Sequence, residues 1–448
     1  MTGNWTTEEL LRWDQEHIIH PVYPVGQEVP GVVFEKGRGV MLYDTEGREY
    51  IDCSSQLTCA NLGYGRADII DAAVEQMKKL EYTTLHMGFS HKAAIEYSRK
   101  LAGVTPEGLN HFIFVDGGAE GNETAFTMAR LSQKSHKIIS LYDSYHGVGI
   151  ASATATGVGK GQFWRGVELA PGFIHIPSYY CYRCAFGKEH PGCGIQCAKF
   201  LAETIEKEGP ESVAAFIAEP MLGVGGTVKP PPEYWPMVRE ICNKYDVLLV
   251  ADEVMTGFGR TGRMWCLEHW EVTPDILVMS KGIAGSFFPF AAVAISDRVF
   301  DSLKGQTVRG FTYGGHPVGC AIASRVLDIY AEERVVENAA GVGKYIMERL
   351  NAEFESLPCV DNIDGLGLFI AMEIVRDKAT RATFEPKLNM PVQILKQARE
   401  KGLLLRSGSI VSGPGDRVRI TPPLLITAQE ADRALDILHP ILASIKPD

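Results

Sequence analysis

Six short, mostly apolar runs separated by segments of helical periodicity restrict this chain to an α/β fold. Strands that are buried on both faces of a parallel sheet show such unbroken apolar runs, whereas half-exposed strands alternate. Helices between successive runs predict a doubly wound, mostly parallel sheet. The runs span residues 112–115, 137–141, 213–218, 247–251, 276–279 and 291–295.

The segments outside these runs predict a second, smaller α+β domain. Residues 32–52 alternate in the manner of an antiparallel meander, while residues 321–332 read as a helix and residues 366–375 as a strand. A chain of 448 residues is long enough for one large and one smaller core. We therefore expect a large domain over residues 66–318, and a small domain formed by residues 1–65 and 319–448.

The charge balance argues against nucleic acid or an anionic membrane as a partner. The net charge is -11 and the pI is about 5.6, and such a surface repels polyanions. Thr6 followed by Glu9 marks a capped helix rather than a secretory signal, and no run approaches the roughly 18 apolar residues of a spanning helix. We expect a cytoplasmic protein that acts on small molecules.

Two polar residues follow two of the predicted strands and indicate the chemistry. Asp252 directly follows the run 247–251, and Lys281 lies 29 residues further, just after the run 276–279. Neighbouring parallel strands would deliver both side chains to one edge of the sheet, where α/β proteins bind ligands. A lysine there can form a Schiff base with an aldehyde cofactor, while an aspartate can keep a pyridine nitrogen protonated. This pairing predicts pyridoxal phosphate.

Two further motifs fit a cofactor but are weak alone. Residues 116–123 (DGGAEGNE) join a strand to a helix, and glycines at such a turn let backbone amides approach a phosphate. Equally, the glycines could serve packing alone. Tyr145 and His146 follow the run ending at Leu141. An aromatic residue there could stack on a planar ring, or the pair could form a half-buried hydrogen-bonding corner.

A third motif, GFGRTG at residues 257–262, matches the dinucleotide-binding fingerprint. That interpretation requires a helix to open within the motif, and the following Arg263-Met264-Trp265-Cys266 is a poor helix start. Asp252 and Glu253 would also bring two carboxylates toward a pyrophosphate. We expect a chance match, which leaves a nicotinamide-dependent dehydrogenase as the alternative from another enzyme class.

Ten cysteines in a cytoplasmic protein are expected to be reduced thiols. Four of them, Cys181, Cys184, Cys193 and Cys197, fall within 17 residues and resemble a zinc loop. The second pair is separated by three residues rather than two, and the loop is short for a zinc ribbon. We expect no metal, with a non-catalytic zinc-loop interaction protein as the alternative.

Taken together, these motifs resemble the class III (omega) aminotransferases, a pyridoxal-phosphate-dependent family of fold type I. The likeness extends from the meander near residue 32 to residues 419–424 (RITPPL). The segments that carry it are Asp252-Glu253-Val254, residues 257–262, Ser280-Lys281-Gly282 and residues 311–317 (FTYGGHP).

The resemblance implies a homodimer with its active site at the interface. Lys281 would be the Schiff-base lysine and Asp252 the partner of the pyridine nitrogen. Tyr145 would stack on the ring, and Val254 would contact its other face. The remaining cofactor contacts implied are Gly118, Ala119, His146, Glu219 and, reaching the phosphate from the other chain, Thr312 of the partner subunit.

The sequence departs from the family at two positions. Ala119 stands where the family usually has serine, which removes one hydroxyl donor to the phosphate. Val224 stands where glutamate-using members carry a glutamate that neutralises the carboxylate-binding arginine during one half-reaction. The chain therefore shows no sign of that switch.

The resemblance also suggests how a substrate is held. Arg419 and Arg406 match two carboxylate-binding arginines of different family members, and each could instead form a surface salt bridge. Leu57 and Thr58 match the pocket-lining segment. We predict an enzyme that moves an amino group from an amine or omega-amino acid to a 2-oxo acid, with pyruvate expected, in a ping-pong mechanism through Lys281. An ammonia-lyase acting on phosphorylated or phosphonated amines, or a dialkylglycine-type decarboxylase, is the alternative on the same fold.

Overall fold

The computed structural model describes residues 5–27, 31–159, 166–409 and 416–446. These residues form strands in three sheets. The strands are β1 (Phe34–Arg38), β2 (Met41–Asp44), β3 (Glu49–Asp52), β4 (Leu109–Val115), β5 (Lys137–Leu141), β6 (Phe173–Ile176), β7 (Val213–Ala218), β8 (Leu248–Asp252), β9 (Ile276–Met279), β10 (Ala291–Ser296), β11 (Val360–Leu366), β12 (Phe369–Ile374), β13 (Leu403–Leu404), β14 (Arg406–Ser409) and β15 (Asp416–Ile420).

Helices cover the sheets and connect most of the strands. They are α1 (Thr7–His17), α2 (Ser55–Thr58), α3 (Ala67–Lys79), α4 (Lys92–Ala102), α5 (Gly118–Gln133), α6 (Ile150–Ala155), α7 (Gln196–Glu208), α8 (Tyr234–Tyr245), α9 (Asp297–Ser302), α10 (Pro317–Glu332), α11 (Val335–Arg349), α12 (Met390–Glu400) and α13 (Ala428–Ala443). The predicted start of α1 is confirmed, because Thr6 and Glu9 form a reciprocal capping box.

The largest sheet has seven strands in the order β4-β10-β9-β8-β7-β5-β6. All neighbours pair in parallel except β10, which is antiparallel to both β4 and β9. Alternate residues of β8 pack on opposite faces: Leu248 and Val250 join a core cluster with α5, while Leu249 and Ala251 join the larger cluster with α8. The predicted doubly wound, mostly parallel sheet is thus confirmed.

Strand β6 is the one member of this sheet that the apolar pattern missed. It lies at the sheet edge beside β5, and three of its four residues are only partly buried. Its sequence, Phe-Ile-His-Ile, places a histidine in a run of only four residues. An edge strand has one neighbour and one open side, so it need not be apolar throughout.

The two smaller sheets combine segments from both ends of the chain. Strands β1, β2 and β3 form the predicted antiparallel meander, and β13 then adds to β3 in parallel. The other sheet has the order β11-β12-β15-β14. The pairing of β3 with β13 supports a small domain built from both termini, while its boundaries stay a prediction.

Two predicted elements in the C-terminal part differ from the structure. Helix α10 begins at Pro317 rather than at residue 321, because proline is well tolerated in a first helical turn. The strand predicted over residues 366–375 begins later, because β11 ends at Leu366 and β12 runs over Phe369–Ile374. Gly367 turns the chain with a φ of +53°, and a side chain there would stand 2.4 Å from the backbone of Thr261 and Gly262.

The GFGRTG motif joins the sheets instead of opening a helix. Gly259 and Gly262 both have φ near +80°, and the next helical element is a 3₁₀ turn over Cys266–Trp270. Arg260 is completely buried. Its guanidinium donates to the carbonyls of Leu368 (3.1 Å) and Pro422 (2.5 Å), to Asn61 Oδ1 (2.9 Å) and to Ser55 Oγ (3.3 Å). The motif therefore has a structural role, and no helix opens within it, as expected for a chance match to the fingerprint.

The ten cysteines are all free thiols. Among the residues that the structure describes, no group of three or more His, Cys, Asp or Glu side chains is arranged to hold a metal. A search of the same residues finds no helix that is both long and apolar enough to cross a membrane.

Replacing Arg260 with methionine should lower the free energy of unfolding by about 3 kcal/mol, because the buried carbonyls of Leu368 and Pro422 would lose their donor. Arg263→Met is the matched control, since Arg263 is exposed three residues later in the same segment. Chemical denaturation of both variants measures the difference. Equal stability of the two variants would contradict the assigned role of Arg260.

Candidate active site

Parallel pairing of β8 with β9 places Asp252 and Lys281 at the same edge of the large sheet. Asp252 is the last residue of β8 and lies opposite Val278 of β9. Lys281 follows the end of β9 by two residues and has a φ of +47°. A left-handed conformation is uncommon for lysine and is often maintained at functional sites. The predicted proximity of these two chain segments is confirmed.

The carboxylate of Asp252 is buried and held by three donors. Its Oδ2 contacts His146 Nδ1 at 2.7 Å and accepts from Asn122 Nδ2 at 2.8 Å, while its Oδ1 accepts from the amide of Val254 at 3.1 Å. Since the partner is a carboxylate, His146 carries its hydrogen on Nδ1. These bonds aim the carboxylate and leave Oδ1 with capacity for a further donor, such as a ring N–H.

Asn122 is a site residue that the sequence analysis missed. It lies in α5 four residues after Gly118, hence on the same helix face, and is 1% exposed. Its amide also donates to the carbonyl of His146 (2.7 Å), which links the helix to the Tyr145–His146 segment. The spacing within the glycine-rich motif was the one signal available, and it does not distinguish a site residue from a core residue.

Lys281 lies in a partly buried position that favours its neutral form. Burial lowers the pKa of Lys281 from its ordinary value of 10.5 to about 8. The carboxylates of Asp252 and Glu219 act in the opposite direction, and the guanidinium of Arg419 lowers the pKa further. An amine with such a pKa is available as a nucleophile near neutral pH.

The amino-terminal end of α5 offers a seat for an anion. Glu120 occupies the amides of Asp116 (3.0 Å) and Gly117 (3.1 Å), and the first amide bonded within the helix is that of Gly121. The helix end carries positive potential, and amides that precede the first intrahelical bond point outward. A side-chain carbon at Gly118 would stand 2.8 Å from Val254, so the backbone there lies directly against that residue.

Ala119 lies between this helix end and the segment that follows β5. A side-chain carbon built on Gly147 would be only 2.5 Å from the Ala119 methyl group. Gly147 has a φ of +127°, which other residues rarely adopt. The close approach brings the helix end and the Tyr145–His146 segment together, as the predicted cofactor contacts require.

Glu219 connects two segments around the site. It is 2% exposed, and its carboxylate accepts from the amides of Tyr145 (2.9 Å) and Gly223 (2.8 Å). Burial raises the pKa of Glu219 to about 7, opposed by the nearby His146. Glu219 therefore orients the backbone of the predicted ring-stacking residue, Tyr145.

The two candidate substrate arginines are cross-strand neighbours. Arg406 of β14 lies opposite Arg419 of β15. Arg419 donates weakly to Thr58 Oγ1 at 3.4 Å, and Arg406 to the carbonyl of Gln56 at 3.5 Å. Burial, followed by the charge of Arg406, lowers the pKa of Arg419 to about 9. Within the described chain neither guanidinium has a carboxylate at salt-bridge distance, so the alternative of a surface salt bridge finds no support.

Leu57 and Thr58 lie beside these arginines, with different exposure. Thr58 is buried, whereas the Leu57 side chain is 58% exposed in the single chain. Thr312 is exposed, and its carbonyl accepts from the hydroxyl of Tyr82 at 2.8 Å. The contacts of the described chain do not bring Thr312 to Asp252 or Lys281, which agrees with its expected role toward another subunit and does not test it.

The predicted cofactor fits these surroundings. An amine with a lowered pKa, a buried and well-oriented carboxylate, and a helix end packed through Gly118 match an aldehyde, a pyridine nitrogen and a phosphate. The individual assignments remain predictions. The structure shows that the residues named for them converge, apart from Thr312.

Comparison with known proteins gives a consistent result. A family model described as aminotransferase class-III matches residues 22–442. The chain is 34% identical to a putrescine–pyruvate aminotransferase of Pseudomonas aeruginosa, over 98% of this chain and 97% of the relative.

Solved structures are equally similar. An (S)-enantioselective omega-transaminase from Thermomicrobium roseum has a TM-score of 0.92 and 37% identity, covering 98% of this chain and 99% of that one. An omega transaminase from Pseudomonas jessenii in complex with PMP has a TM-score of 0.91 and 34% identity, covering 97% of both chains.

The lowered pKa of Lys281 predicts how pH affects cofactor capture. Below pH 8 the rate at which apoenzyme captures pyridoxal phosphate should rise about tenfold per pH unit, and it should level above pH 8, because only the neutral amine attacks an aldehyde. The growth of cofactor absorbance measures the rate. Lys281→Arg is the control and should form no adduct after borohydride reduction. A plateau reached only near pH 10.5 would contradict the lowered pKa.

Proposed function

The chain belongs to the class III aminotransferases and is a pyridoxal-phosphate-dependent enzyme, and on this basis we propose that it transfers amino groups from an amine or omega-amino acid to pyruvate by a ping-pong mechanism. The observation that carries the proposal is the convergence of Lys281 and Asp252 at one sheet edge, with Arg419, the cross-strand neighbour of Arg406, close enough to lower the pKa of the lysine.

In this proposal the cofactor supplies an aldehyde that accepts the amino group and a pyridinium ring that takes up the electron pair of the substrate carbon. Asp252 would accept a hydrogen bond from the ring N–H and so keep the nitrogen protonated. His146 and Asn122 hold Asp252 in the required direction. Lys281, once free, removes the proton from the substrate carbon, and its lowered pKa suits a base that works near neutral pH.

The arginine pair supports a 2-oxo acid as the amino acceptor. Two neighbouring guanidinium groups without acidic partners, one of them buried, are costly unless an anion joins them. A carboxylate accepts two parallel hydrogen bonds from a guanidinium. Val224 stands where glutamate-using family members carry the residue that neutralises the carboxylate-binding arginine, which argues against glutamate as a substrate. The Pseudomonas aeruginosa relative is a putrescine–pyruvate aminotransferase, which supports pyruvate as the acceptor.

We also propose a cytoplasmic homodimer with the predicted division into large and small domains. Ten free thiols fit a reducing compartment. Apolar and aromatic side chains project from two adjoining segments: Met87 is 90% exposed, Phe89 60% and Tyr313 59%. Exposed apolar side chains of this kind favour burial against another subunit. Thr312 adjoins Tyr313 and would then reach the phosphate across the interface.

The proposed reaction can be followed directly in the cofactor spectrum. Addition of a reactive amine without acceptor should remove the aldehyde absorbance within one turnover, and pyruvate should restore it, with no ammonia released. A panel of diamines, omega-amino acids and arylalkyl amines identifies the donor class. Ammonia release with the aldehyde spectrum retained would instead indicate a lyase, and carbon dioxide release a decarboxylase. Restoration by 2-oxoglutarate but not by pyruvate would contradict the proposed acceptor.

The dimer proposal predicts a solution mass near twice the 49.2 kDa chain mass. Thr312→Ala should weaken cofactor binding about tenfold, because a hydrogen bond to a charged phosphate is lost. Thr105→Ala, a half-buried hydroxyl elsewhere on the same chain, is the control. Light scattering and equilibrium dialysis of the cofactor measure the two effects. A wild-type holoenzyme with the mass of a monomer would contradict the dimer. Full cofactor affinity in Thr312→Ala would contradict the role of Thr312.

A further inference from the structure

The segment between β3 and the substrate pocket follows a path that its sequence does not favour. Ser55, Gln56 and Thr58 all have positive φ, at 43°, 55° and 58°, and Gln56 has a ψ of −101°. None of them is glycine, and Thr58 is β-branched, for which a left-handed conformation is a genuine outlier. Such a path persists only where its surroundings impose it. Residues 54–58, which include the short α2 with its non-helical Gln56 and Leu57, are called the pocket loop below.

One group bonded to the start of the pocket loop is Asp52, the last residue of β3. Its side chain is completely buried, and it accepts four hydrogen bonds. Oδ1 accepts from the amide (2.9 Å) and hydroxyl (2.6 Å) of Ser54, while Oδ2 accepts from the amide of Gln56 (3.1 Å) and the hydroxyl of Tyr64 (2.6 Å). Three of the four donors belong to the pocket loop. A charged acceptor makes each of these bonds stronger than a neutral one.

The pocket loop in turn contacts both candidate substrate arginines. The Gln56 carbonyl accepts from Arg406 and the Thr58 hydroxyl from Arg419. The loop is also tied to the end of β15, because Ser55 Oγ donates to the carbonyl of Thr421 at 2.7 Å. Each arginine therefore makes one long hydrogen bond to an atom of the same short loop.

We infer that Asp52 is a positioning residue for substrate selection: by holding the pocket loop in its left-handed path, it sets the direction and spacing of the Arg406 and Arg419 guanidinium groups. This inference rests on the proposed function. It goes beyond that function in assigning the geometry of the anion site to a carboxylate that contacts neither substrate nor cofactor. The chemistry recognised is a carboxylate on a small organic acid.

Asp52→Asn is the direct test, because an amide keeps the shape but loses the charge and turns one acceptor atom into a donor that faces a loop amide. The chain offers a close control in Asp44→Asn. Asp44 has the same arrangement, with Oδ1 accepting from the amides of Glu46 (3.0 Å) and Arg48 (2.8 Å), and Oδ2 from the hydroxyl of Tyr50 (2.9 Å). It organises a hairpin turn that contacts neither arginine.

The primary readout is binding of propionate, an unreactive carboxylate, to the holoenzymes by calorimetry. Asp52→Asn should weaken propionate binding and raise the KM for pyruvate by about tenfold, since a misplaced guanidinium loses its paired contact. The rate at which a carboxylate-free amine bleaches the cofactor should change less than about twofold, because that amine does not use the arginines. Asp44→Asn should leave all three values near wild type.

The possible outcomes test the proposed function and the positioning role of Asp52 separately. If wild-type holoenzyme performs no amine-to-pyruvate transfer, the proposed function fails. If wild type is active and Asp52→Asn binds propionate normally, or loses amine and pyruvate reactivity equally, the positioning role is wrong. Should Asp52→Asn fail to fold, Ser54→Ala removes one of the four bonds and must shift propionate binding in the same direction, by a smaller factor, for the inference to stand.

Discussion

The parallel pairing of β8 with β9 is the constraint on which the rest of this structure depends. It aligns Asp252 with Val278 and so delivers a carboxylate and an amine to one sheet edge, although 29 residues separate them. Apolar strands that are buried on both faces can pair in few registers, and a slip of one residue would reverse every side chain. The core thus enforces the geometry that the chemistry requires.

Burial of charge is the second theme. Asp252, Glu219, Arg419 and the partly buried Lys281 influence one another in a poorly hydrated region, which lowers the pKa of the lysine to about 8 and raises that of Glu219 to about 7. Desolvation disfavours buried charges, and the carboxylates of Asp252 and Glu219 are stabilised by directed hydrogen bonds. The arginine pair has only two long hydrogen bonds, to Gln56 and Thr58, and we propose that substrate completes it.

Much of this was predictable from the sequence, and the failures have identifiable causes. All six apolar runs that were predicted as strands correspond to strands of the large sheet, namely β4, β5, β7, β8, β9 and β10. The antiparallel direction of β10 was not predicted. Strand β6 was missed because an edge strand need not be apolar. Asn122 and Asp52 were missed because an asparagine within a helix and an aspartate that ends a strand of the antiparallel meander carry no local mark of what they will contact.

The sequence by itself determined the fold class, the family and the cofactor chemistry, because apolar periodicity and the Asp252 and Lys281 segments are local features of the chain. Only the tertiary structure decided that Arg406 faces Arg419, that Arg260 fastens distant carbonyls, and that Asp52 holds the pocket loop in a left-handed path. Arg260 reaches carbonyls 108 and 162 positions away, and the pocket loop bonds to Thr421 and Arg406, which lie 366 and 350 positions from their partners. Those partners are selected by packing of the whole core, and no local pattern encodes that selection.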